Sequence, residues 1–171
     1  SYVNTALGQH YAAGTKPTEL TRSTLSNRMG LLTHAGVVAA LSQFETTSPV
    51  HRGLFFFQSL LCQDPGVPDQ TATTMLERLA NAADPDATER QKFDHFIKNE
   101  NPGCIPCHAL FQPLGLGMER FDPIGRYRTT ENGRPIDPSL ELTAAMAGSD
   151  AAGRYDDSLH ALKAILNSER G

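Results

Sequence analysis

The sequence predicts an all-α fold, and three observations carry that expectation. Apolar residues recur at helical spacing in segment after segment. Pro and Gly punctuate those segments. No stretch alternates apolar and polar residues as a half-buried strand would. With 171 residues, 39% hydrophobic and 20% charged, the chain suits one domain, or one domain with a wrapped extension.

Residues 2–12 place Val3, Ala6, Leu7 and His10 on one face, and Gly14 to Thr21, with Pro17, reads as a loop. Residues 28–44 carry Leu31, His34, Val38 and Leu41 as a stripe, which Thr46-Thr47-Ser48-Pro49 ends. Residues 50–62 are apolar almost all round (Leu54, Phe55, Phe56, Phe57, Leu60, Leu61), so this helix is expected to be central and buried. Cys62, in the same stretch, reads as a buried, inert thiol. Gln63 to Gln70 reads as an exposed connection, followed by a short helix over 71–82 with Met75, Leu76 and Leu79.

Asp84 as a cap and Pro85 at the first helical position predict a helix running to about Glu100. It turns Phe93, Phe96 and Ile97 to the core and stops at Asn101-Pro102-Gly103. Residues 104–111 begin another helix, and residues 112–137 read as loops with a short helix near 116–121. The final helix, over 156–168, takes Asp156 or Asp157 as its cap and Leu159, Leu162, Ile165 and Leu166 as its stripe.

The formal net charge of -4 argues against a nucleic-acid partner, which selects a basic surface, and against adhesion to an anionic membrane. No run of about 18 apolar residues is present to span a bilayer. The chain starts at Ser1-Tyr2 without an initiator Met, so it reads as a processed or excised piece.

Three cysteines, an odd number, make a disulfide scaffold a poor reading. Two of them form Cys104-Ile105-Pro106-Cys107-His108, the C-x-x-C-H pattern of c-type haem attachment. Two thiols add across the two haem vinyl groups, and the following imidazole binds the iron. The expected cofactor is therefore one covalent haem c, held through Cys104 and Cys107, with His108 on the iron. A redox dithiol and half of a zinc site are the rival readings. Zinc would need two more soft ligands with only Cys62 left, and a thioredoxin-like dithiol should follow a strand in a βαβ unit.

A helix before the motif, a Gly/Pro-rich loop after it and a closing helix resemble the class I cytochromes c over about residues 85–170. That resemblance implies a haem core over 85–171 with an N-terminal helical wrap over 1–84. It also implies that Asp122-Pro123-Ile124-Gly125-Arg126 acts as the loop whose carbonyl accepts the free ring N–H of the proximal histidine.

Longer strings resemble one bacterial family more closely. They are Tyr2-Val3-Asn4 through His10-Tyr11, Arg28-Met29-Gly30-Leu31-Leu32-Thr33-His34, Thr47-Ser48-Pro49-Val50-His51-Arg52-Gly53, Leu60-Leu61-Cys62, Cys104 to His108, and Pro113-Leu114-Gly115 through Glu119 to Arg128. The family comprises large haem-containing proteins of planctomycetes, myxobacteria and some marine bacteria, whose C-terminal halves are domains of unknown function with a planctomycete-type cytochrome C motif. The resemblance implies the haem-bearing C-terminal part of a larger secreted protein, and electron transfer. One departure stands out. The family usually carries Met-Asp-Pro-Ile-Gly after the haem motif, where this chain has Gln112-Pro113-Leu114-Gly115. The chain also stops at Gly171, short of the family's usual C-terminal segment.

A second protein ligand would make the iron suited to electron transfer, whereas an open position permits peroxide or O₂ chemistry. Met146 is the first candidate, from its place before the last helix. His10 and His34 compete, each from the apolar face of its helix, and the family resemblance favours His10 through its Leu-x-x-His-Tyr pattern. Met118 reads as packing against the ring, and His95 and His160 as solvated. Arg28, Arg52, Arg126 and Arg128 are candidates to pair the haem propionates, because a guanidinium fork matches a carboxylate.

The leading expectation is an electron carrier rather than an enzyme. Its partner would be a redox protein or other domains or subunits of a larger assembly. Its home would be periplasmic, outer-membrane-associated or extracellular, because thioether attachment occurs outside the cytoplasm. The rival is a haem peroxidase or oxygenase module with an open distal site.

Overall fold

The computed structural model describes residues 2–11, 18–66, 84–97 and 105–169. The chain opens with β1 (Tyr2–Val3) and α1 (Thr5–His10), whose first turn is capped by the Asn4 side chain accepting from Leu7 N. β1 pairs antiparallel with β2 (Thr21–Arg22). A 3₁₀ turn (Gly30–Thr33) leads into α2 (Ala35–Ala40). α3 (Pro49–Phe55) starts at the Ser48 cap with Pro in its first turn and widens into a π turn over Phe56–Leu60. α4 (Glu89–His95) starts at a Thr88–Gln91 capping box.

α5 (Ile105–His108) and α6 (Gln112–Leu116) follow closely. A hairpin of β3 (Thr130–Glu131) and β4 (Arg134–Pro135) comes next. Then β5 (Leu140–Leu142), α7 (Ala144–Ala147), β6 (Gly153–Tyr155) and α8 (Ser158–Leu166) close the described chain, with β5 and β6 paired antiparallel.

The all-α expectation is corrected by these three small antiparallel sheets, which make the architecture mixed. The reason is local. β3 and β4 are joined by Asn132-Gly133, both with positive φ (50° and 76°), the backbone of a two-residue hairpin turn. In β5, Leu140 and Leu142 point into the core while Glu141 is exposed, an alternation too short to stand out from the flanking loops.

Several expected helices are shorter than their sequence stripes. Asp84 caps a turn through Asp86 N rather than the helix, which begins at Thr88. His34 is not on an apolar stripe. It is the cap of α2, exposed, and its Nδ1 accepts from Gly36 N. Asp157 caps α8, and Leu162 and Ile165 are buried there while Leu166 is exposed. The helix expected over 71–82 and the stop at 101–103 lie outside the described residues.

Residues on both sides of the expected boundary at 84/85 share one core. Val38, Phe56, Phe57, Leu114, Met118, Phe121, Met146, Leu162 and Ile165 pack together in it. α3 and α6 meet at backbone distance. A Cβ on Gly53 would strike the Phe111 carbonyl, and one on Gly115 the Pro49 carbonyl. Only glycine permits that approach.

Candidate functional site

His108 ends α5 and is half-buried. Its ring lies between Phe93 and Phe111, with centroids 5.4 and 5.1 Å away. Nδ1 lies 3.2 Å from Oε1 of Gln112, four residues on. An amide oxygen only accepts, so Nδ1 carries the proton and donates. Nε2 is then the ring atom with a free lone pair. Burial holds the imidazole below its ordinary titration range, with the Gln112 hydrogen bond opposing. The neutral form, which is the metal-binding form, is thereby favoured.

Beside the ring is a largely apolar cavity walled by Phe93, Ile97, Ile105, Leu116 and Leu140, with Arg90, Asp94 and Glu141 also in its lining. The Arg90 guanidinium is held by the carbonyls of Asp137 and Ser139. Cys107 is half-buried, and its Sγ lies 3.9 Å from the Pro65 carbonyl. Cys104 lies outside the described residues. Cys62, expected to be buried, is exposed with a φ of 50°, because the chain turns sharply as the π turn ends.

The Asp122–Arg126 loop does not support His108. Its carbonyls go elsewhere: Ile124 to His10 Nε2 at 3.0 Å, Gly125 to Arg28, and Asp122 to Arg52. Gln112 takes the part expected of that loop. The i, i+4 spacing of His108 and Gln112 was the available sequence signal.

Of the arginines weighed as anion partners, Arg52 is fully buried. It donates to the carbonyls of Met118, Phe121 and Asp122, to Ser42 Oγ and to Glu119. Arg128 is paired with Glu119 and Glu131. Arg28 stacks over Tyr11 at 4.0 Å and donates to Thr33 and Gly125 carbonyls. These three hold the fold together. Arg126 is exposed, and its backbone N–H donates to Asp122.

Met146 is fully buried, and its sulfur accepts from Thr143 N at 3.4 Å in a capping box. Met118 is likewise buried in the core, and His95 and His160 are exposed. None of Met146, His10 and His34 lines the cavity beside His108.

Among the described residues no group of three or more His, Cys, Asp or Glu is gathered for a metal, and the strands form only antiparallel pairs with no βαβ unit. No described helix is long and apolar enough to cross a membrane.

The chain belongs to PSCyt3, a protein family of unknown function (DUF1588), which matches residues 28–131. No curated protein matches the chain, and no solved structure does.

Proposed function

We propose that this PSCyt3 domain carries one covalent haem c on Cys104 and Cys107 and serves electron transfer. The observation that carries the reading is His108, last residue of a C-x-x-C-H run, with Nδ1 committed to Gln112 and Nε2 left over beside an apolar cavity. The donor set fits the group: an imidazole that burial biases to its neutral form, a half-buried thiol and largely apolar side chains beside the ring. Bound haem supplies the Fe(III)/Fe(II) couple. The chain's own residues orient the imidazole through Gln112 and flank it with Phe93 and Phe111.

Thioether formation occurs outside the cytoplasm, so the reading carries with it a periplasmic, outer-membrane-associated or extracellular home and a redox partner protein or domain. Expression with an export signal and the cytochrome c maturation machinery tests it. The pyridine haemochrome spectrum should show two thioether links, and the intact mass should rise by one haem. Protein recovered without covalent haem under those conditions sinks the proposal.

One observation favours a second reading. With Met146, His10 and His34 all away from the cavity beside His108, none of these candidates would reach the iron from there, and an iron with an open position suits a peroxidase or oxygenase. Rapid CO binding by the folded ferrous protein together with peroxide turnover would favour that reading over electron transfer.

A further inference from the structure

We propose that Gln112 is the positioning residue that sets the basicity of His108, and that water in a second cavity completes its hydrogen bonding. The inference rests on the haem reading for its redox consequence, but not for the hydrogen bond itself.

Gln112 is 2% exposed. Its oxygen is taken by His108, while its amide Nε2, equally buried, has no partner among the described residues. A buried N–H₂ without an acceptor is destabilising, so this side chain is not held for stability alone. Gln112 forms a wall shared by two cavities. One is the apolar cavity beside His108. The other mixes polar groups (Thr46, Ser48, Glu89) with apolar ones (Pro49, Val50, Phe93) and has a volume of about 270 Å³. That exceeds the ~30 Å³ share of a single water several-fold, and its hydroxyls and carboxylate are the groups that hold water in place. Ordered water there is the acceptor chemistry that Nε2 lacks.

The two hydrogen bonds act in series. An acceptor for the Gln112 amide N–H makes the amide oxygen a stronger acceptor, because linked hydrogen bonds polarise one another. A stronger acceptor on Nδ1–H makes the imidazole a more basic ligand through Nε2. A more basic ligand favours the ferric state, so the reduction potential falls.

The test uses two substitutions with opposite expected signs in the haem-loaded protein. Gln112→Glu places a full carboxylate on Nδ1–H and should lower the midpoint potential. Gln112→Leu removes the acceptor and should raise it. A merely structural role would shift both variants the same way or neither, and either result overturns the proposal. Long-range ¹H–¹⁵N NMR on the full chain before haem attachment reads the hydrogen bond directly. The wild type should hold His108 with its proton on Nδ1, and Gln112→Leu should lose that preference. A wild-type proton on Nε2 overturns the proposal whatever the haem does. Absence of covalent haem removes the function reading alone and leaves the NMR result to decide the role of Gln112.

Discussion

Arg52 and Glu119 meet at 3.3 Å with side chains 0% and 1% exposed. The pair ties α3 to the turn after α6, and Thr47 and Arg128 complete the carboxylate's hydrogen bonds. Removing one partner from such a pair strands the other charge. Arg52→Met should therefore cost about 3–5 kcal/mol, and Glu119→Gln clearly less, because the amide keeps an acceptor for Thr47. Equilibrium urea denaturation of both variants measures the difference, and equal losses would contradict it.

Burial pushes the Glu119 carboxyl from 4.5 up to about 7, against the pull of Arg52, Thr47 and Arg128. The folded chain then holds this proton more tightly than the unfolded one. Its contribution to stability is full below about pH 4.5 and is lost as pH rises to about 7. Within that window the loss is on the order of 1.4 kcal/mol per pH unit for this one group. Glu119→Gln should flatten the corresponding part of the stability profile between pH 4.5 and about 7. A wild type that gains stability relative to the variant over that range would mean the carboxylate stays ionised.

Gly115 sits where any side chain would strike the Pro49 carbonyl. Gly115→Ala should destabilise by about 1–3 kcal/mol or more, since the obstacle is backbone and cannot rotate away. At Gly133 nothing lies within 4 Å, although φ is +76°, so Gly133→Ala should cost about 1 kcal/mol from its backbone angle. Thermal denaturation of the two variants should rank them in that order.

Met146 packs inside the core with its sulfur turned to Thr143 N. Met146→Leu should leave the visible spectrum of the haem-loaded protein unchanged and cost less than about 1.5 kcal/mol as a volume-conserving swap. If a long-wavelength sulfur-to-iron band is present in the wild type and vanishes in the variant, Met146 is the ligand after all.

The elements legible in the sequence were those that depend on a short local pattern. The break at Thr46 to Pro49, the Asp157 cap of α8 and the buried Phe56–Phe57 pair all follow from residues within one turn. What was not legible depended on distant partners. Nothing near Arg52 in sequence announces that its acceptors lie about 70 positions on, and a guanidinium reads equally well as a propionate clamp until those carbonyls are seen. The Asp122–Gly125 loop failed in the same way, because its carbonyls are taken by His10, Arg28 and Arg52. The β3–β4 hairpin was within reach through Asn132-Gly133, but two-residue strands carry too little alternation to be seen without it. The motif gave His108 its chemistry, and only the fold gave it Gln112.

The glycine contact between α3 and α6 has a mechanical consequence. With no layer of side chains between Pro49–Gly53 and Phe111–Gly115, no rotamer change can cushion a displacement there. Gln112 lies inside the clamped stretch and grips the His108 ring. A push on α3, whether from a neighbouring domain or a docking protein, would travel as a stiff lever motion to the imidazole. The coupling between partner and candidate cofactor site would then run through backbone against backbone.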